Sequence, residues 1–112
     1  MSAPRLNRRL VLEAPDRVPD GAGGWTEVWI ALGEMWGAVE AGDGREKPVG
    51  YANVSAVHYR VYVRGAPVGA PSRPRAEHRF RMNGRMFQIH AVTEHDPAGR
   101  FLVCYCYEEA GT

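Results

Sequence analysis

Apolar and polar residues alternate along most of the chain. Leu6, Arg8, Leu10 and Leu12 oppose Asn7, Arg9, Val11 and Glu13, a period of two that predicts a strand with one face more buried. It is expected to stop at Ala14-Pro15, because the next stretch, DRVPDGAGG, is turn chemistry throughout and reads as an exposed loop. Trp25 to Ile30 is rich in aromatic and β-branched residues. Glu34 to Glu40 continues strand-like after a break around Gly33, which predicts one long bent strand or two short ones.

Residues 42–53 have no apolar periodicity and are too long for an ordinary hairpin connection, so they read as a functional or locally disordered loop. From Ala56 the alternation returns, with Val57, Tyr59, Val61 and Val63 on an apolar face and His58, Arg60, Tyr62 and Arg64 on a basic-aromatic one. After a second proline- and glycine-rich loop, Glu77 to Met82 and Arg85 to Thr93 form strand-like runs joined by Asn83-Gly84. That dipeptide suits the positive φ angles of a two-residue type I′ hairpin turn. A turn at HDPAG then leads into Arg100 to Tyr107, which is apolar on both faces. Its Leu102, Cys104 and Cys106 are expected inside, leaving Phe101, Val103, Tyr105 and Tyr107 to be covered by a loop, the amino-terminal strand or another subunit. About six mainly antiparallel strands with long loops make an all-β chain, a small β-barrel or sandwich, as a single domain over residues 1–112.

Composition fits this pattern. Thirteen Gly and eight Pro in 112 residues leave no window where an uninterrupted helix of three turns fits comfortably. Apolar residues at 45% and charged residues at 24% are ordinary for a globular chain, and one of this length should bury roughly two-thirds of its unfolded surface. No apolar run approaches the ~20 residues of a membrane span, and the amino-terminal stretch has basic residues without an apolar export region.

Charge is nearly balanced at +1 but unevenly placed: between Arg60 and Arg85 lie seven arginines against one acid, Glu77. Either these pair with acids on other strands, or they form a patch facing DNA or a partner. Cys104 and Cys106 are two apart in a strand-like run, too constrained to bridge each other, and read as reduced, buried, small hydrophobes. The four histidines (His58, His78, His90, His95) show no metal-ligand spacing. Nucleophile elbows, phosphate loops and zinc-protease motifs are missing, and Glu94-His95-Asp96 sits directly before Pro97, where turns collect polar residues for backbone reasons. No catalysis, cofactor or metal is expected. For Trp25, Trp29 and Trp36 core packing is the leading expectation and interface anchoring the alternative.

The order of these features resembles phage head-tail joining proteins. It runs from a basic-apolar strand (Arg5 to Leu12) to Asp-Gly-x-Gly-Gly-Trp-x-x-x-Trp (Asp20 to Trp29) and Trp-x-x-Val-Glu (Trp36 to Glu40). A Gly-Arg-Glu loop (Gly44 to Glu46), Tyr-Arg-x-x-Val-Arg (Tyr59 to Arg64), an Asn-Gly-x-x-Phe-x-Ile hairpin and Asp96-Pro97 follow, covering the chain from Arg5 to Glu109. The resemblance implies a head-closure, or stopper, subunit: a small β-barrel in a ring, expected as a hexamer, beneath the portal and its adaptor. The ring would close a head filled with double-stranded DNA and dock the tail terminator or tail tube, in a virion or a phage-like gene transfer particle assembled in the bacterial cytoplasm and without membrane contact. Arg45 and Lys47 are the residues expected to meet DNA or acidic partners in the channel. Trp29, Phe101, Tyr105 and Tyr107 are those expected at subunit or partner interfaces. A tail terminator or minor tail protein, a small nucleic-acid-binding barrel and an enzyme of unrecognised type are the rival readings.

Overall fold

A computed structural model describes residues 3–42 and 57–108. The strands are β1 (Arg8–Pro19), β2 (Trp25–Ala41), β3 (Val57–Arg64), β4 (Arg79–Met82), β5 (Arg85–Glu94) and β6 (Phe101–Glu108). Every pairing is antiparallel, and the order β1-β2-β3-β6-β5-β4 closes into a barrel through β4 on β1. The last third follows the sequence pattern closely. Asn83 and Gly84 turn at φ values of 50° and 84°, which an Asn-Gly pair adopts at little steric cost, and they hold Met82 opposite Arg85.

Strand alternation fills the barrel. Leu10 and Leu12 of β1, Val61 and Val63 of β3, Phe80 and Met82 of β4, and Phe87 and Ile89 of β5 meet Leu102, Cys104 and Cys106 of β6 in one buried cluster. Each large side chain removed from water there contributes about 1.5–3 kcal/mol. The cysteine face of β6 is therefore inside, as its pattern predicts. The opposite face of β6 is covered near its start by the chain itself: Val103 packs with Ala38 and Tyr62 outside the barrel, and Leu6 from the amino-terminal segment lies against them.

Two parts of the pattern come out differently. β1 does not end at Ala14-Pro15; it runs on to Pro19, and only Asp20–Gly24 remains as the loop. β4 pairs only with Val11–Glu13 of β1, so beyond Glu13 the outer edge of β1 has no partner strand among the described residues, and a proline costs no ladder hydrogen bond on a free edge. Glu77 and His78 likewise precede β4 rather than belonging to it.

The consequence is an arm. Ala14–Pro19 and Trp25–Ile30 pair with each other and, among the described residues, with no third strand, extending about 20 Å at the usual rise per residue. The molecule spans 54 × 33 × 23 Å, and its radius of gyration of 15.0 Å exceeds the roughly 13 Å of a compact chain this long. At the arm's base β2 carries a bulge: Gly33 faces Leu12 while Ala31 faces Glu13, leaving Leu32 extra. Gly33 takes φ 155° there, a conformation that a side chain would strain.

Candidate functional site

The bulge decides where the tryptophans go. In an unbroken strand, Trp36 would fall on the opposite face from Trp25 and Trp29, since side chains alternate. The extra residue shifts the phase, so all three share the outer face, across from Pro19, Pro15 and Arg9. None joins the core: Trp25 is 64% and Trp36 57% exposed, and Trp29 is half-buried beneath Arg79. The expectation of core tryptophans is thus corrected. The barrel interior is filled by smaller residues of the opposite parity, Met35 and Val39 in β2.

Along the arm the register separates two faces. Pro15, Arg17 and Pro19 share one with Trp25, Glu27 and Trp29; Ala14, Asp16 and Val18 share the other with Thr26, Val28 and Ile30. This second face continues the side that is core within the barrel, so it is mainly aliphatic, and among the described residues no strand covers it. Val18, Ile30 and the bulged Leu32 are exposed.

The outer wall of β3, β6 and β5 is the second surface. Across the β3–β6 ladder His58 pairs with Tyr107, Arg60 with Tyr105, Tyr62 with Val103 and Arg64 with Phe101. A bulge in β5 around His90 brings that ring to 5.9 Å from His58 and 6.2 Å from Tyr107, while His95 lies edge-on to Tyr62 at 4.8 Å. Two of the four histidines thus meet on one wall, through strand pairing between distant segments rather than local spacing, while His95 packs on Tyr62 away from them. Partial burial and the neighbouring His58 lower the pKa of His90. A recess of about 220 Å³ opens here among His58, Arg60, His90 and Tyr105.

Of the residues expected at interfaces, Tyr105 is exposed on this wall and Tyr107 is half-buried beside His90. Tyr107 and His90 also face Pro15, Glu27 and Trp29 across an open cleft of about 600 Å³ between arm and wall. The fold therefore gathers Trp29, Tyr105 and Tyr107 around His90. Phe101 lies at the other end of β6, in a separate recess with Pro4, Arg64, His95 and Pro97. Arg45 and Lys47 fall outside the described residues.

Three of the seven arginines in the arginine-rich stretch are ion-paired. Glu13 accepts from Arg79 at 2.7 Å and from Arg81 at 3.0 Å, and Glu108 accepts from Arg85 at 2.7 and 3.0 Å. Burial alone would raise the Glu13 pKa, but the two guanidinium hydrogen bonds hold it below the ordinary carboxylate value. The Arg85 hydrogen bonds lower that of Glu108. Arg73 donates to the Ala66 carbonyl at 2.8 Å. These acids lie on other strands, a pairing the sequence pattern allowed without naming partners. Arg60 and Arg64 form no ion pair among the described residues. Both cysteines are free and buried, with burial raising the thiol pKa of Cys104 to about 12 and that of Cys106 further still. They are inert core residues.

Comparison with known proteins agrees with this architecture. A subunit in the virion of a native gene transfer agent particle is 48% identical, with a TM-score of 0.80, over 98% of this chain and 100% of its own. A protein of Shigella flexneri 2a solved in solution shares the fold at 21% identity and a TM-score of 0.71, each chain being covered in full. Among curated proteins none matches. The family model described as phage head completion protein matches residues 1–110, nearly the whole barrel and arm, and the chain belongs to that family.

Proposed function

We propose that this chain is the head-closure subunit of a tailed-phage-like particle. Copies of it form a ring, a hexamer, between the portal adaptor and the tail terminator or tail tube. The ring retains packaged double-stranded DNA and gives the tail a surface to dock on. The part works by being in place, without catalysis, cofactor or membrane. Its contacts run through Trp29, Tyr105, Tyr107 and Phe101, and Arg45 and Lys47 face the channel or an acidic neighbour.

The observation that carries this reading is the 48% identity over nearly the full chain to a component of a gene transfer agent virion. The surface chemistry supports it. A subunit that functions in an assembly needs apolar area beyond its own core, and here Trp25, Trp36, Tyr105 and an aliphatic arm face supply it. The pairing of Arg79, Arg81 and Arg85 with acids weighs against a free-standing nucleic-acid-binding barrel, because it ties up three of the seven arginines of the basic stretch.

Deleting the gene and imaging the particles tests the proposal. DNA-filled heads without tails, leaking their DNA, are expected. Closed heads carrying tails of irregular length would instead make the chain a tail terminator, and normal tailed particles would remove it from the joint altogether.

A further inference from the structure

We infer that the projecting β1–β2 arm of one copy seats on the outer β3–β6 wall of the next. The occupant of the arm's aliphatic face is then a second copy of this chain, and Asp16 meets Arg60 at the centre of the contact. The inference rests on the ring reading above and specifies how the ring is closed.

Complementarity of two patterns carries it. On the arm, Asp16 is exposed and opposite Val28, with Val18 and Ile30 around it, so one acid stands in an aliphatic field. On the wall, Arg60 is exposed and opposite Tyr105, beside His58, with a recess of about 220 Å³ open to an incoming aliphatic side chain. The arm as a whole carries Asp16, Asp20 and Glu27 against Arg17. The wall carries Arg60 and Arg64 against Glu40, which stands opposite Arg60 on β2, and neither Arg60 nor Arg64 is ion-paired among the described residues. Opposite charges set in apolar surrounds steer two surfaces together and fix their register.

Geometry adds two constraints. The arm reaches about 20 Å past the barrel, enough to cross much of a neighbour's wall. Pro15 and Pro19 stand on the arm's free β1 edge, which blocks simple strand addition there and leaves the faces to make the contact. Arm and wall are different surfaces, so the contact is head-to-tail, the kind that generates closed rings when the rotation closes.

A charge swap in the intact particle tests it. Asp16→Arg and Arg60→Asp are introduced singly and together as the sole copy of the gene, and DNA-filled tailed particles are counted in micrographs. Each single change is expected to lower their number about tenfold or more, and the double change to return it to within about threefold of wild type. Purified variants that melt with the wild type establish that folding is intact. Harmless single changes, or a double variant no better than the worse single, overturn the inference. If wild-type particles show a ring of copies and the swap is still unrescued, the arm contact alone fails; if they show no ring, the ring reading fails with it.

Discussion

Arg79 stacks on Trp29, its guanidinium carbon 4.1 Å from the ring centroid, while its Nε donates to Glu13. The barrel wall is thereby tied to the base of the arm through one side chain. Glu13→Gln removes the charge that two arginines share, and Arg79 is well covered whereas Arg81 is partly in water. The expected loss is about 2–3 kcal/mol in urea unfolding, below that of a fully buried pair for this reason. Trp29→Ala, which removes only the stacking partner, should cost about 1 kcal/mol. A Glu13→Gln loss no larger than an ordinary surface change would show that the triad holds nothing together.

Tyr105 and Leu102 stand on opposite faces of β6 and should fail differently when truncated. Leu102 is fully buried, so Leu102→Ala should lower the unfolding free energy of the isolated subunit by about 2–5 kcal/mol. Tyr105 is 38% exposed, and Tyr105→Ala should leave a folded monomer whose particles join heads to tails poorly. Equal melting-temperature losses in the two variants, with normal joining by Tyr105→Ala particles, would contradict this division.

Stability should fall with acid in two stages. Burial and Arg75 lower the His78 pKa from 6.5, and burial and His58 lower that of His90. The unfolded chain therefore takes up protons first, and the contribution of the two neutral rings is full above about pH 6.5 and declines as pH falls below it. Glu13 and Glu108, both lowered by their arginines, contribute fully above the ordinary carboxylate value of 4.5 and lose that contribution as pH drops through their folded values. Melting temperatures at about pH 7.5, 5.5 and 3.5 should step down twice. His78→Gln with His90→Gln should flatten the first step, and Glu13→Gln with Glu108→Gln the second. A wild-type melting temperature unchanged between the first two conditions would count against the histidine stage.

Glu77 adopts φ 77°, a left-handed conformation that an L side chain enters at a cost of about 1–2 kcal/mol. Its backbone N–H donates to Ile89 at 3.0 Å, so the turn is fixed by a hydrogen bond that glycine preserves. Glu77→Gly should stabilise the subunit by up to about 1 kcal/mol once glycine's greater unfolded-state freedom is subtracted. Destabilisation in urea would mean that the side chain supplies more than the strain removes.

Where structure depends on near neighbours, the sequence displayed it. The Asn83-Gly84 hairpin, the inward cysteines of β6 and the two faces of β3 all follow from turn chemistry or a period of two. Placement that depends on distant strands was hidden. Pro15 reads as a terminator until the shortness of β4 is known, because only then is the β1 edge free. Gly33 marks a break, but nothing local says that Leu32 is an extra residue, and it is this that puts Trp36 on the same side as Trp25 and Trp29. Glu13 looks like any strand-end acid, since its partners lie more than sixty residues away. The wall around His90 escaped for the same reason: strand order, not spacing, assembles His58, His90, Tyr105 and Tyr107.

Beyond Glu13 the arm is a two-stranded ribbon, and such ribbons are marginal in water without a third strand or a covering surface. Its ladder amides are therefore expected to exchange with solvent through local opening, and those of the barrel strands, paired on both sides, only through global unfolding. Any contact that orders the ribbon gives up part of its free energy to do so, which weakens association between two free subunits and leaves the single pair short-lived. A platform that holds several subunits side by side offsets this loss through high local concentration. For the arm contact inferred above, the consequence is that free subunits are expected to stay dispersed until such a template is at hand.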